Sequence, residues 1–192
     1  GSGDLSDFDY DEKVYTPWYS DRDQIKHVEI RSGITSIGSE CFRDCKNLAS
    51  VSIANTVKTI GFWAFRECPK LTSVEIPASV KDISFVAFYN CLGLTRISVD
   101  SNNTAYSSDN GVLFNKIKTR LITYPNGRIG AYVIPNTVVS IDPFSFSICL
   151  GLTSVVIPGS VKTIDIAAFG LCLSLSSLSI PNSVTAIGDQ AF

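Results

Sequence analysis

Apolar residues return along this chain at a fixed interval of 23. Leu48, Leu71 and Leu94 mark it, as do Ile53, Ile76 and Val99, and Phe42, Phe65 and Phe88. After a longer unit the interval resumes with Leu152 and Leu175, with Ile134, Ile157 and Ile180, and with Phe146, Phe169 and Phe192. One unit reads Leu71-x-x-Val74-x-Ile76-Pro77-x-x-Val80-x-x-Ile83-x-x-x-Ala87-Phe88-x-x-Cys91. Val74-x-Ile76 alternates with period two and is β-branched, which predicts a short strand with Ser73 and Glu75 facing outward. Pro77 has no N–H to give to a ladder and ends that strand. Val80, Ile83, Ala87 and Phe88 then predict turns and a short helical segment, leaving one strand per coil.

A unit of this size cannot bury its own apolar residues, so neighbours must stack and share one core. The fold class is therefore a repeat solenoid: a right-handed superhelix with a parallel β-ladder and short helical turns. Units run 25–47, 48–70, 71–93, a long one at 94–128, then 129–151, 152–174 and a partial 175–192. Seven coils at roughly 4.8 Å per strand step give a rod about 35 Å long. In the long unit, Val112–Phe114 and Leu121–Tyr124 joined by Asn115–Arg120 predict a β-hairpin that protrudes from or widens its coil, with Lys116, Lys118 and Arg120 exposed near its tip. Asp100–Gly111, rich in Asn, Asp and Ser, predicts turns.

The unit Leu71-Thr-Ser-Val74-Glu-Ile76-Pro77 with Ala87-Phe88-x-x-Cys91 resembles the BspA-like, or treponemal-type, leucine-rich repeat. Asp109-Asn-Gly111 through Lys116, running on to Leu121-Ile-Thr-Tyr124-Pro125, resembles that family's longer unit, and Pro17–Trp18–Tyr19 the segment before its first repeat. Cys41 and Ser145 depart from it, standing where alanine is usual. The resemblance covers residues 25–192 and implies a leucine-rich-repeat solenoid of a secreted or cell-surface protein of bacteria or some protozoa. It further implies adhesion to host proteins, glycans or other cells.

The expected division is a vector-derived scar and N-terminal cap at 1–24, repeats at 25–99, the hairpin insertion at 100–128, and repeats again at 129–192. Gly1–Ser2–Gly3 is the scar, and Phe8, Tyr10, Tyr15, Trp18 and Tyr19 would cover the first coil's core. Phe192 falls 18 residues into a 23-residue unit without a polar cap, so a longer protein, or another molecule over that end, is expected.

Charge and chemistry narrow the function. Sixteen Lys and Arg against eighteen Asp and Glu give a net charge of −2, without the clustered positive charge that nucleic acid requires. No apolar run reaches the roughly 18 residues of a membrane span, so no membrane insertion is expected. His27 is the single histidine, and no phosphate-binding loop or nucleophile-elbow motif occurs, so neither an enzyme nor a cofactor is expected. Cys45, Cys68, Cys91, Cys149 and Cys172 share one slot and are expected to pack as buried thiols rather than form disulfides or a metal site.

What remains is a surface. The outward strand positions are His27 and Glu29, Ser50 and Ser52, Ser73 and Glu75, Arg96 and Ser98, Ala131 and Val133, Ser154 and Val156, and Ser177 and Ser179. Serine dominates, and of the Trp, Tyr and Arg residues on which tight interfaces centre, only Arg96 stands here. The candidate ligand-binding residues are Arg96, Glu75, His27, Glu29, Ser73 and Ser98, with Arg96 and Glu75 expected on facing positions of adjacent strands. A binding module for a host or cell-surface protein or glycan is the expected function. The alternative is a structural spacer or assembly array within a larger surface protein.

Overall fold

The computed structural model describes residues 3–192. The alternation seen in sequence forms one ladder strand in each coil: β2 (His27–Ile30), β4 (Ser50–Ile53), β6 (Ser73–Ile76), β8 (Arg96–Val99), β12 (Gly130–Val133), β14 (Leu152–Val156) and β16 (Ser177–Ser179). Paired neighbours run parallel at a register of 22 or 23 residues, as in His27↔Ser50 and Ser73↔Arg96. The ladder is not continuous. Its strands pair as β2–β4, β6–β8 and β12–β14–β16.

Each coil leaves its ladder strand through the same turn. The N–H of Val57, Val80, Val138, Val161 and Val184 returns to the carbonyl three residues back, which in the last four belongs to the proline that closes the strand. A second strand follows, contrary to the expectation of one per coil. β3 (Ile34–Ile37), β5 (Thr59–Ile60), β7 (Asp82–Ile83), β13 (Ser140–Ile141), β15 (Thr163–Ile164) and β17 (Ala186–Ile187) stack in parallel, and β1 (Gly3–Asp4) adds to β3. Only the inward isoleucine of most of these pairs carries an apolar signal, too short to show period two.

The return segment is turns, not helix; the sole helical element among the described residues is a 3-10 turn at Tyr19–Gln24. In most regular coils two residues adopt positive φ there, at Trp63 and Glu67, at Phe144 and Ile148, and at Ala167 and Leu171, whereas the 71–93 coil has only Asn90. Left-handed residues four apart break a helical path and bring Phe and Cys inward. Their rings stack from coil to coil: Trp18, Phe42, Phe65 and Phe88 at 5.4–5.6 Å, then Tyr124, Phe146, Phe169 and Phe192 at 4.7–5.6 Å.

Trp18 supplies the first ring of that stack from residues ahead of the repeats and donates its indole N–H to the Cys41 carbonyl. The segment before it runs along the first coil, with Leu5 and Phe8 N–H groups bonded to Ser36 and Ser39 carbonyls. Gly38 permits that approach, since a Cβ there would stand 2.3 Å from the Ser6 oxygen. Gly3, set apart as scar by its sequence, donates to Gly33 and belongs to β1.

After its ladder strand β8, the long unit holds three further strands rather than a hairpin. β9 (Tyr106–Asp109), β10 (Val112–Asn115) and β11 (Arg120–Thr123) form an antiparallel meander, and β11 pairs in parallel with β13. The stretch expected to be turns up to Gly111 thus contains β9. Asn103, fully buried, organises its start: its amide donates to the Pro77 and Val80 carbonyls and its oxygen accepts from Ala105 and Tyr106 N–H. The meander does not protrude. Leu113 and Ile122 join the core of the preceding coils, and Val112, Phe114, Leu121 and Tyr124 join that of the following ones. Period-two alternation has here been used to face two cores at once.

Candidate ligand-binding face

The outward side chains of the first ladder are set by strand pleat. Val28 and Ile30 point in and are buried, so His27 and Glu29 must point out, and the same holds for Ser73 and Glu75 around Val74 and Ile76. His27 Nδ1 lies 2.8 Å from Ser50 Oγ on the next strand. Glu29 pairs with the exposed Arg31 at 3.0 Å. Such a pair is worth about 0–1 kcal/mol and leaves both groups open to a partner.

Arg96 does not face Glu75. The register sets Arg96 opposite Ser73 and Glu75 opposite Ser98, so the two charges stand on a diagonal. Among the described residues they make no ion pair. The expected facing arrangement is corrected by arithmetic: they are 21 residues apart, and the strands align at 23. Arg96 instead neighbours the β9–β10 turn. Ile97 donates its N–H to the Gly111 carbonyl at 2.9 Å, and a Cβ on Gly111 would come within 3.2 Å of Arg96 Cγ. Gly111 is thereby required twice, by this contact and by its φ of +82°.

The basic residues of the meander are not a free tip. Lys118 pairs with Asp109 at 2.7 Å, and Lys116 reaches the Ser101 carbonyl at 3.2 Å. Arg120 grips Asp142 with two N–H groups at 3.1 and 2.6 Å, and only 4% of the Asp142 side chain is exposed. The charges that sequence offered for ligand binding thus fasten the meander to itself and to the next coil.

Beyond the meander the face changes character. Val133 is 65% exposed and Val156, its partner on the next strand, 57%, and Ile129, just ahead of β12, is 84% exposed. Before the meander the outward positions are serine, glutamate, histidine and arginine. A partner spanning both halves would meet a polar stretch followed by an apolar one.

The six cysteines are free thiols. Cys68, Cys91 and Cys172 donate to the carbonyls of Phe42, Phe65 and Phe146 at 3.0–3.2 Å, one coil back. Burial pushes the thiols of Cys41 and Cys45 up to about 12. They are poor nucleophiles as a result, because the thiolate is the reactive form. No group of three or more His, Cys, Asp or Glu is placed to hold a metal among the described residues. No helix among them is long and apolar enough to cross a membrane.

The stacked 23-residue coils and the meander match a family model described as the BspA type leucine rich repeat region, in six copies over residues 12–133 and 123–192. The chain belongs to that family. It is similar to a leucine-rich repeat protein from Eubacterium ventriosum ATCC 27560, with 31% identity and a TM-score of 0.66 over 98% of this chain and 62% of that one. A leucine rich cell surface protein from Faecalibacterium prausnitzii A2-165 is 29% identical, with a TM-score of 0.71 over 87% of this chain and 50% of that one. The pneumococcal vaccine antigen PcpA shares the fold at 24% identity, with a TM-score of 0.74 over 86% of this chain and 47% of that one. The chain therefore spans about half to three-fifths of the length of these proteins. No curated protein matches it significantly.

Proposed function

We propose that this leucine-rich-repeat chain is a non-catalytic binding part of a bacterial cell-surface or secreted protein, and that it docks a host or cell-surface protein or glycan on the outward face of its first ladder. The observation that carries this reading is the face itself: strands in successive coils present two outward side chains each, open to solvent on a stiff frame. Weak contacts repeated over several coils sum to useful affinity without a deep pocket. The likeness to a cell-surface leucine-rich protein supports the location. Neither nucleic acid nor a cofactor enters this reading.

Arg96 is the proposed anchor, with Glu75, Ser73 and Ser98 around it and His27 and Glu29 extending the face. Its fork can grip a carboxylate or stack on a sugar ring. Purified protein should be applied to arrays of glycans and extracellular-matrix proteins, and any hit measured against Arg96→Ala. The variant should bind at least about tenfold more weakly at an unchanged melting temperature. Unaltered affinity would move the site off Arg96, and an inert protein on every array would favour a spacer role.

A further inference from the structure

The first ladder is interrupted between β4 and β6, two regular coils with no insertion between them. Ala54 donates to Ile30 and Asp100 donates to Ile76 across the neighbouring seams, at 3.0 and 2.9 Å. The equivalent position over Ile53 is Pro77, which has no N–H, but Pro158 and Pro181 leave out the same rung over Ile134 and Ile157 where the strands still pair, so the proline alone does not interrupt a ladder. The β4–β6 seam opens toward the core. Val51 and Ile53 occupy inward positions yet are only half-buried, whereas Val28, Ile30, Val74 and Ile76 in the same slots are buried.

The opening is a cleft of about 360 Å³ floored by Val51 and Ile53 and edged by Glu75 and Asp100. No Lys or Arg lines it. Among the described residues Glu75 and Asp100 make no ion pair, and Asp100 uses one oxygen to accept from Asn102 N–H at 2.8 Å. An apolar floor under two uncompensated carboxylates matches one kind of group, a long aliphatic stem ending in a positive charge. We infer that the β4–β6 cleft receives a lysine or arginine side chain of an extended partner peptide, its methylenes on Val51 and Ile53 and its cation between Glu75 and Asp100. The inference rests on the reading of the ladder face as the docking surface and names the chemistry of its partner.

The probe is an acetylated, amidated pentapeptide with lysine at its centre, Ser-Thr-Lys-Thr-Ser, beside matched peptides carrying norleucine or glutamate there. Backbone amide shifts of the isotope-labelled protein are followed during titration. The lysine peptide should shift Val51, Ile53, Glu75 and Asp100 saturably, more weakly as salt rises, and the glutamate peptide should not. The double variant Glu75→Gln, Asp100→Asn, which keeps an acceptor for Asn102, should lose at least about tenfold in affinity. Equal affinity of that folded double variant, or of the norleucine peptide, would overturn the inference. Shifts confined to Arg96 or Val133 would overturn the cleft but keep the ladder face. For a partner found on the arrays, shifts mapping off the ladder would overturn the wider reading instead.

Discussion

The regular coils and the long coil solve the same burial problem differently. A regular coil places Val, Ile, Phe and Cys on the inside of one loop of chain and leaves their other sides to the coils above and below. Its aromatic ring continues a stack and its thiol finds a carbonyl one coil back. The long coil has no cysteine and gives up part of the return turn. Its meander instead stands between two cores and serves both, with Leu113 and Ile122 on one side and Val112, Phe114, Leu121 and Tyr124 on the other. A repeat array tolerates a longer unit when the added chain can pair into the sheet and bury residues on both faces, rather than loop out into solvent.

The largest test of that comparison sets Phe88→Ala in a regular coil against Phe114→Ala in the meander. Both rings are buried, so each variant should lose about 3–5 kcal/mol in chemical denaturation through the cavity left behind. A loss under about 1 kcal/mol at Phe114 would make the meander an appendage after all, and the same result at Phe88 would undo the coil register.

Charge gives a smaller contrast. Arg120→Ala strands the buried Asp142 carboxylate and should cost about 2 kcal/mol, less than a fully buried pair because the arginine is more than half exposed. Lys46→Ala in a regular coil, which loses more exposed pairs with Asp44 and Glu67, should cost under about 1 kcal/mol. Equal losses would mean that the arginine does not fasten the meander to its neighbour.

Thiols separate the coils by pH. Cys41 and Cys45, held up to about 12, keep their protons in the folded chain while the unfolded chain releases them above an ordinary value of 9.0. The folded state then binds more protons, so their contribution is full below pH 9 and is lost as pH rises toward 12. The slope is up to about 1 kcal/mol per pH unit for each thiol. Denaturation curves at pH 8.5 and 10.5 should show the loss, and Cys45→Ala should flatten it. A slope unchanged in that variant would place the effect on other groups. A thiol reagent should also find six titratable groups after denaturation and few before; fewer than six would reveal a disulfide.

The smallest effect is a gain. Ser145 stands where regular coils have Ala64, Ala87 and Ala168, and its buried hydroxyl has no partner in the fold. Ser145→Ala should stabilise the protein by about 1 kcal/mol. A loss of stability would show that a water or neighbour satisfies the hydroxyl and that the slot next to the meander differs chemically from the others.

The sequence alone determined the repeat, its 23-residue register and the inward residues of every regular coil. It could do so because each coil meets the same environment, and selection for burial then writes the same letters at the same interval. It also identified the outward positions of the first ladder, since pleat fixes them once the inward ones are known. The second ladder was hidden because its strands are two residues long in most coils and its pairing partners lie a full coil away. Whether Val112–Tyr124 protruded or was buried depended on two cores that no local window contains. The serines, glutamates and arginine of the face were visible as residue types, but their neighbours were not. Register put Arg96 opposite Ser73, the β4–β6 seam opened beside Glu75, and the basic side chains of the meander found carboxylates and a carbonyl that only the folded chain brings within reach.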